Sequence, residues 1–418
     1  MTLPARSEHE SHDLALLTGN GAAEMLAMAL GERSIVRSWR VHSQHHRPGA
    51  GVTVCYDVVV DKNLQDGRTE RDQAYLCAST AKLKNPNHPA LTHLQAGGTK
   101  VSVWFYPNDP ELPALPMACS PSLMSELLGE PVGIELMSYR PTRRAVVKVT
   151  RTNGAETFGK VLRPGSAQDL VARHRVLEEA NVPAPRVVFS NDDGLVLSSN
   201  LPGEPLANLL SRGLGHRAPL VIGDLVGILD ALPQSALTFP ERPAWADRAE
   251  HYGHAAATAL PEAGARCQDI ARRVNALLRV SDPGPVVPVH GDFYEANIFM
   301  VRGGSQVSGI IDVDSIGPGH RVDDLACLLG HVSVLPHLAP QSYPHVNDDL
   351  ARWANACEQL VDPIALNARA AGVVLSLVAG AKRVDGREWR PDALGRVATA
   401  ERWLNRAEAW AVNRGVMY

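Results

Sequence analysis

Apolar and polar positions along the chain change their period twice. Gly21 to Gly31 (GAAEMLAMALG) carries apolar residues at helical spacing and closes on glycine, which predicts a short amphipathic helix. Residues 1 to about 15, charged and mixed in sign, read as a solvated arm. Strand-like runs follow at Ser34 to Val41, Val52 to Val60 and Ala74 to Ala78, with a charged, glycine-containing turn at Asp61 to Asp72. Trp104 to Pro121 (WFYPNDPELPALPMACSP) is rich in proline, which fixes φ and removes backbone donors. It predicts an extended connector. A second set of strands is predicted at Gly133 to Ser138, Ala145 to Thr150 and Thr157 to Leu162, with Asn153-Gly154 making the hairpin turn. A helix from about Ala167 to Ala180 and strands at Arg186 to Ser190 and Gly194 to Ser198 complete this part. Beyond Gly203 the period is helical, except for short strands near 284 to 320.

The two strand sets resemble each other. Ser43 to Val54 (SQHHRPGAGVTV) parallels Ser138 to Val147 (SYRPTRRAVV): a strand meets Arg-Pro, then a turn, then an apolar strand. This suggests an internal duplication, with the first 120 residues forming a cap built like the second sheet. Coincidence of hairpin composition is the alternative.

Composition narrows the classes. The chain has 418 residues, is 45% hydrophobic and 21% charged, and carries a net charge of −4. That is a globular composition of two or three domains, and too acidic for a dedicated nucleic-acid binder. A weak acidic balance fits an enzyme acting on a cationic substrate. No run reaches the roughly 20 apolar residues of a membrane span; Ala370 to Ala381 reads as a buried helix. The N-terminus lacks the apolar core of a secretory signal. None of the six cysteines lies in a CxxC pair, and most sit among apolar neighbours, as reduced thiols do. A cytoplasmic location, where ATP is available, is expected.

The chemistry concentrates in Val286 to Leu329. It contains His290-Gly291-Asp292-Phe293-Tyr294-Glu295-Ala296-Asn297, then Ile310-Ile311-Asp312-Val313-Asp314, then Asp323-Asp324-Leu325-Ala326. Asn297 opens the run Ile298 to Val301, Gly303-Gly304 turns the chain, and Val307 to Ile311 returns. A hairpin centred near Gly304 sets Asn297 about opposite Asp312, so that an amide oxygen and a carboxylate converge. Hard oxygen ligands suit Mg²⁺. Asp292 lies five residues before Asn297 and reaches the same place. The spacing H-x-D-x-x-x-x-N followed by a later Asp is the kinase catalytic-loop arrangement. Asp314 reads equally as a supporting acid or as a turn former.

VHGDFYEANIFM followed by GIIDVDSIGPGHRVDDLA resembles the aminoglycoside phosphotransferase and choline kinase-like family, small-molecule relatives of the protein kinases. The resemblance covers about residues 130 to 410. It implies an α+β, protein-kinase-like two-lobe fold behind a β-rich N-terminal cap: cap 1–125, small nucleotide-binding lobe 126–200, helical lobe 201–418. It also implies that Asp292 is the catalytic base and that Asn297 and Asp312 are the metal ligands. His290 would brace the loop and Asp324 would anchor it. The cofactors would be ATP and Mg²⁺, and the partner a small-molecule hydroxyl acceptor, with no nucleic acid or membrane involved.

On the nucleotide side, Lys160 in Thr157 to Leu162 fits the family's strand lysine, with Lys148 and Arg163 as competitors. No GxGxxG loop precedes it. The corresponding turn, Arg140 to Arg144, either contacts phosphate through Arg143 or Arg144 or is a solvated basic turn. Glu178 and Asp169 are candidate acids for the lysine, neither well spaced. Ser198 to Gly203 reads as the hinge facing the adenine, with Ser198 and Asn200 as binding residues, or as a plain linker. For the acceptor, Asp323, Asp348, Asp349, Glu358 and Asp362 supply carboxylates, and Trp353, Trp389 and Trp403 supply aromatic faces. The expected function is ATP- and Mg-dependent phosphorylation of an amino sugar, aminoglycoside or other sugar-like alcohol. The alternative is a kinase-like nucleotide- or ligand-binding module without catalysis. A protein kinase fits less well, because only twelve residues separate Asp312 from Asp324 and leave no room for a peptide-docking segment.

Overall fold

The computed structural model describes residues 3–46, 51–63, 68–383 and 387–417. The chain forms two compact units, Met1–Val171 with Val187–Asn200, and Ala172–Arg186 with Leu201–Tyr418. The first is β-rich and the second mainly helical, a mixed α+β protein.

The first unit opens with α1 (Leu3–Thr18) and α2 (Gly21–Leu30). Then come β1 (Ser34–His46), β2 (Val52–Asn63), β3 (Thr69–Ser79), β4 (Thr92–Ala96) and β5 (Thr99–Phe105), an antiparallel sheet in the order β1-β2-β3-β5-β4. Alternation along β2 buries Val52, Val54, Tyr56, Val58 and Val60 against Leu17, Met25 and Leu26 of the two helices. The expected solvated arm is therefore corrected. From residue 3 it is helical, and Leu17 is fully buried while the Tyr56 hydroxyl donates to the Leu17 carbonyl at 2.6 Å. The charged run Arg6 to Asp13 hid the helix, whose buried contacts come from Leu17 near its end. The turn expected over Asp61 to Asp72 is also shorter than predicted. Both strands run on to the pair Asn63–Thr69, and Asp61 is clamped by Arg37 at 2.6 Å and Arg71 at 2.8 Å.

Trp104 to Pro121 is not an extended linker. It contains α3 (Leu115–Ala118) and leads into α4 (Pro121–Leu128), and Leu112, Leu115 and Ala118 are fully buried in the core of the second sheet. That sheet comprises β6 (Val132–Arg140), β7 (Arg144–Arg151), β8 (Glu156–Leu162), then, after α5 (Pro164–Glu179), β9 (Val187–Ser190) and β10 (Leu195–Ser199). Its order is β6-β7-β8-β10-β9. The Asn153-Gly154 turn forms as predicted, with Gly154 at φ +82°.

The suspected duplication is present in the topology. Two helices precede each sheet, and both sheets have the same strand order. The ladders superpose in register: Thr53–Ser79 answers Arg144–Leu162, and Cys55–Cys77 answers Val146–Lys160. A bulge interrupts β1 between Val41 and Ser43 and β6 between Leu136 and Ser138, at equivalent positions. The pairing matches Arg140 to His45. The Arg47-Pro48 on which the sequence comparison leaned lies outside the described residues.

Asp109 ties the two repeats together. Almost fully buried, it accepts from the Tyr139 hydroxyl at 2.7 Å, from the Thr142 amide at 2.7 Å and from the Glu111 amide at 2.9 Å. The Trp104 indole of β5 donates to the same Tyr139 hydroxyl at 3.1 Å.

The second unit contains β11 (Glu204–Pro205), α6 (Leu206–Arg212), α7 (Ala218–Asp230), α8 (Ala249–Ala259) and α9 (Gly264–Leu278). It continues with β12 (Val286–Val289), β13 (Ile298–Met300), β14 (Val307–Ile310), β15 (Gly317–His320) and α10 (Arg321–Leu338). It ends with α11 (Val346–Cys357), α12 (Pro363–Val378) and α13 (Arg390–Asn413). The core helix α12 packs against α8, α9, α10 and α13. With its following turn it is a 19-residue apolar segment, longer than the sequence suggested. It is long and apolar enough to cross a membrane, yet most of it is buried inside the protein.

Replacing Asp109 with alanine removes the acceptor of three buried donors. Each orphaned donor costs about 1–3 kcal/mol, so Asp109→Ala should lower the stability of the first unit by several kcal/mol. Chemical denaturation followed by Trp104 fluorescence measures it.

Candidate active site

The loop joining β12 to β13 carries the predicted motif. Its first residues are held by Asp324 in the first turn of α10. The fully buried carboxylate accepts the His290 amide at 2.8 Å and the Gly291 amide at 2.9 Å. Burial pushes Asp324 up to about 7 against the pull of those two N–H groups. Gly291 is required here. Its φ is +78°, and a Cβ would come within 2.8 Å of the Ser315 carbonyl.

His290 is fully buried. Its Nδ1 accepts the Asp292 amide at 3.3 Å, so Nε2 bears the proton and donates to the Ile311 carbonyl at 3.0 Å. The Ile311 amide in turn donates to the Asn297 carbonyl at 2.9 Å. Ile311 is thus gripped on both sides by the loop, and Asp312 follows in the left-handed conformation at φ +58°, ψ +49°. Short polar residues tolerate that region best among non-glycines.

The hairpin of β13 and β14 differs by one residue from the sequence expectation. Ile298 pairs with Ile310, so Asn297 stands opposite Ile311 rather than Asp312. A bulge between Phe299 and Met300 and their partners shifts the ladder. The Asn297 amide nitrogen donates to the Asp292 carbonyl at 2.9 Å, which leaves Oδ1 as the acceptor end of this buried side chain.

Two residues of the site escaped the sequence. Tyr294 stacks on His331 of α10 with ring centroids 4.3 Å apart. Its hydroxyl is pushed far up, first by burial and then by the charges of Asp292, Asp312 and Glu295, so those three carboxylates lie within electrostatic reach of one ring. Glu295 is buried, and its Oε2 has no hydrogen-bond partner. Burial, with the charge of Asp292, raises it to about 7. Both residues lie inside the motif, but spacing says nothing about which way a loop side chain points. Among the described residues no group of three or more His, Cys, Asp or Glu has the geometry of a metal site. Two protein oxygens, Asn297 Oδ1 and the Asp312 carboxylate, match a Mg²⁺ that keeps water and phosphate as its other ligands.

The remaining candidates sort by their partners. Lys160 lies on β8 opposite Val146 and Val196 and is half-buried. Thr157, Gly159 and Val161 face the core, so Lys160 and Phe158 share the other face. Its competitors are engaged: Lys148 with Glu135 at 2.6 Å, and Arg163 with Glu111. Glu178 sits 3.7 Å from Arg186 in the second unit. Ser198 lies on β10 and donates to the Phe158 carbonyl at 3.3 Å; the exposed Asn200 ends the first unit. The acceptor-side acids are mostly structural. Asp349 accepts the Leu214 amide, Glu358 is forked with Arg406, Asp362 caps α12, and Asp323 faces Arg369. The Trp353 indole donates to Ala218, Trp403 to Ser333, and Trp389 carries the Arg390 guanidinium.

An Asp two residues after a fixed His, with an Asn and a second Asp beyond it, follows the residue order of the kinase catalytic loop. The model of the phosphotransferase enzyme family APH matches residues 141–359, just over half of the chain, and the chain belongs to this family. None of the curated proteins compared matches it. Among solved structures it is similar to a thermostable mutant of the aminoglycoside phosphotransferase APH(4)-Ia. The identity is 16%, with 70% of this chain and 99% of that one covered, at a TM-score of 0.45. A Plasmodium vivax ethanolamine kinase is 11% identical, over 64% and 82% of the two chains, at 0.44. A putative fructosamine-3-kinase from Thermobifida fusca is 19% identical, over 68% and 99%, at 0.41.

His331 yields a pH prediction. Burial, then the Arg396 charge, depresses it to about 4, whereas the unfolded chain titrates near 6.5. The unfolded state therefore takes up the proton first, and stability falls as pH drops from about 6.5 to about 4, by up to about 3 kcal/mol. Thermal melts across that window should show this acid sensitivity in the wild type and its reduction in His331→Phe.

Proposed function

We propose that the protein transfers the γ-phosphoryl group of Mg–ATP to a hydroxyl of a small molecule, an amino sugar, aminoglycoside or other sugar-like alcohol. The observation that supports it most is the double grip on Ile311. It fixes Asp312 and Asn297 relative to Asp292 before any substrate arrives, and phosphoryl transfer depends on such positioning.

In this reading the Asp292 carboxylate accepts the acceptor's hydroxyl proton. The hydroxyl oxygen forms a bond to the γ-phosphorus, and the bond from that phosphorus to the β–γ bridging oxygen breaks to release ADP. Asn297 Oδ1 and Asp312 would hold Mg²⁺, which would supply charge neutralisation at the phosphates when bound. His290, neutral and proton-bearing at Nε2, keeps Ile311 in place and takes no proton from substrate. Lys160 supplies the cation for the nucleotide's inner phosphates, and Ser198 and Asn200 flank the adenine. The unpartnered Oε2 of Glu295, close to Asp292, favours an acceptor that brings a hydrogen-bond donor or a cation. An inactive module would not need this intact bonding.

ADP release measured against a panel of sugars, amino sugars and amines tests the proposal. One acceptor class should support turnover. Asp292→Asn should lower kcat by about 10²–10⁴-fold, with nucleotide affinity preserved. Asp312→Ala should abolish Mg-dependent turnover. Unchanged kcat in Asp292→Asn would overturn the assignment.

A further inference from the structure

Along α5 the buried positions are Ala167, Leu170, Arg173, His174 and Leu177, one stripe at helical spacing. In kinases the helix that follows the lysine strand reaches the site with an acid. The acids of α5, Asp169, Glu178 and Glu179, are exposed, and the permanent charge in its buried stripe is that of Arg173. Arginine is almost never as buried as this, at 2% exposure, without partners. Here Nε donates to the Ile316 carbonyl at 2.9 Å, across 143 residues of sequence, and the guanidinium lies over the Phe239 ring at 4.6 Å. Arg173, Phe239 and Ile316 all belong to the second unit.

We propose that Arg173 is a positioning residue for Asp312: it pins the end of the turn that follows this side chain, and so keeps the carboxylate placed for Mg²⁺. The inference rests on the reading of Asp312 as a metal ligand and adds the residue that holds it there.

Placement is the first ground. Ile316 stands four residues after Asp312, and a single turn, Val313–Ser315, joins them, closed by the Ile316 amide on the Val313 carbonyl at 3.2 Å. Ahead of Asp312, the Ile311 carbonyl accepts from His290 and its amide donates to Asn297. Beyond the turn, Gly317 pairs with Val289, the residue before His290. Asp312 is therefore held from two sides, by the loop through Ile311 and by Arg173 through Ile316.

The kind of bond is the second ground. Its donor carries a full positive charge, which makes it stronger than an amide–carbonyl bond. Phe239, which carries the guanidinium, is itself seated against the same strand: a Cβ added at Gly317 would lie 3.7 Å from the Phe239 Cβ and 3.4 Å from the Pro240 carbonyl. The neighbouring Ser315 hydroxyl, by contrast, accepts from the exposed Arg242 at 2.9 Å, a contact that water can replace.

The test uses the full chain. ADP is titrated calorimetrically at a series of Mg²⁺ concentrations. In Arg173→Gln, which removes the charge, the Mg²⁺ concentration that half-tightens ADP binding should rise about tenfold, with ADP affinity in Mg-free buffer unchanged. Arg173→Lys keeps a charge in the buried site but not the stacked, planar donor. It carries the test if circular dichroism shows Arg173→Gln unfolded, and its Mg²⁺ shift should be smaller and in the same direction. Hydrogen exchange of the nucleotide-free chain reads the anchor without metal. The amides of residues 313–316 should exchange faster in the variants, and those of Ile298–Met300 at the wild-type rate. A folded variant with the wild-type Mg²⁺ response, where Asp312→Ala loses that response, would make Arg173 a packing residue and overturn the proposal. If Asp312→Ala keeps the response, it is the metal reading that fails; faster exchange then still supports the anchor, and unchanged exchange overturns it.

Discussion

A single imidazole holds the reactive loop in shape. His290 has no solvent contact, and its two ring nitrogens are committed in opposite senses: one accepts from the Asp292 amide, the other donates to the Ile311 carbonyl. This works only for the neutral ring with its proton on Nε2. Asp324 fastens the loop from below through two amides, and the Asn297 carbonyl closes the circuit through Ile311. The side chains with chemistry to perform are thus aimed by backbone groups and one ring. The arrangement is costly in isolation, since a buried carboxylate and a buried imidazole must both be satisfied. It is stable because each polar atom in it has a partner.

The first unit solves a different problem with repeated parts. Two sheets of the same order, each introduced by two helices and each broken by a bulge at the same place, stand in one unit around Asp109. The copies have diverged in their interiors. Cys77 occupies the place of Lys160, and Trp104 that of Val196. What they keep in common is a left-handed residue between the first two strands, Gly51 in one and Thr142 in the other.

The sequence revealed what is local. The Asn-Gly hairpin and the glycine that closes α2 each depend on neighbours a few residues away, and each stands where expected. The resemblance between Ser43 and Ser138 was visible for the same reason. What failed depends on distant partners. The Asn297 register was one residue off because alternation does not place the tip of the β13–β14 turn, which lies between the paired Val301 and Gln306. Trp104 to Pro121 looked like a linker, since its burial is set by a sheet formed later in the chain. Four of the five acids considered for the acceptor have structural partners. Glu358 meets Arg406 and Asp349 reaches Leu214, contacts 48 and 135 residues apart in sequence.

Helix α12 imposes an order on how the chain acquires its structure. Its 19-residue apolar stretch is covered by α8, α9 and α10, which precede it, and by α13, which follows. During synthesis the earlier helices can shelter three of its sides as it emerges, but the last must wait for α13. Until then the ribosome-bound chain displays a surface that lipid or a chaperone would accept as readily as the missing helix. The longest apolar helix of the fold is thus the one whose cover the last helix completes, an order fixed by where the two lie in the chain.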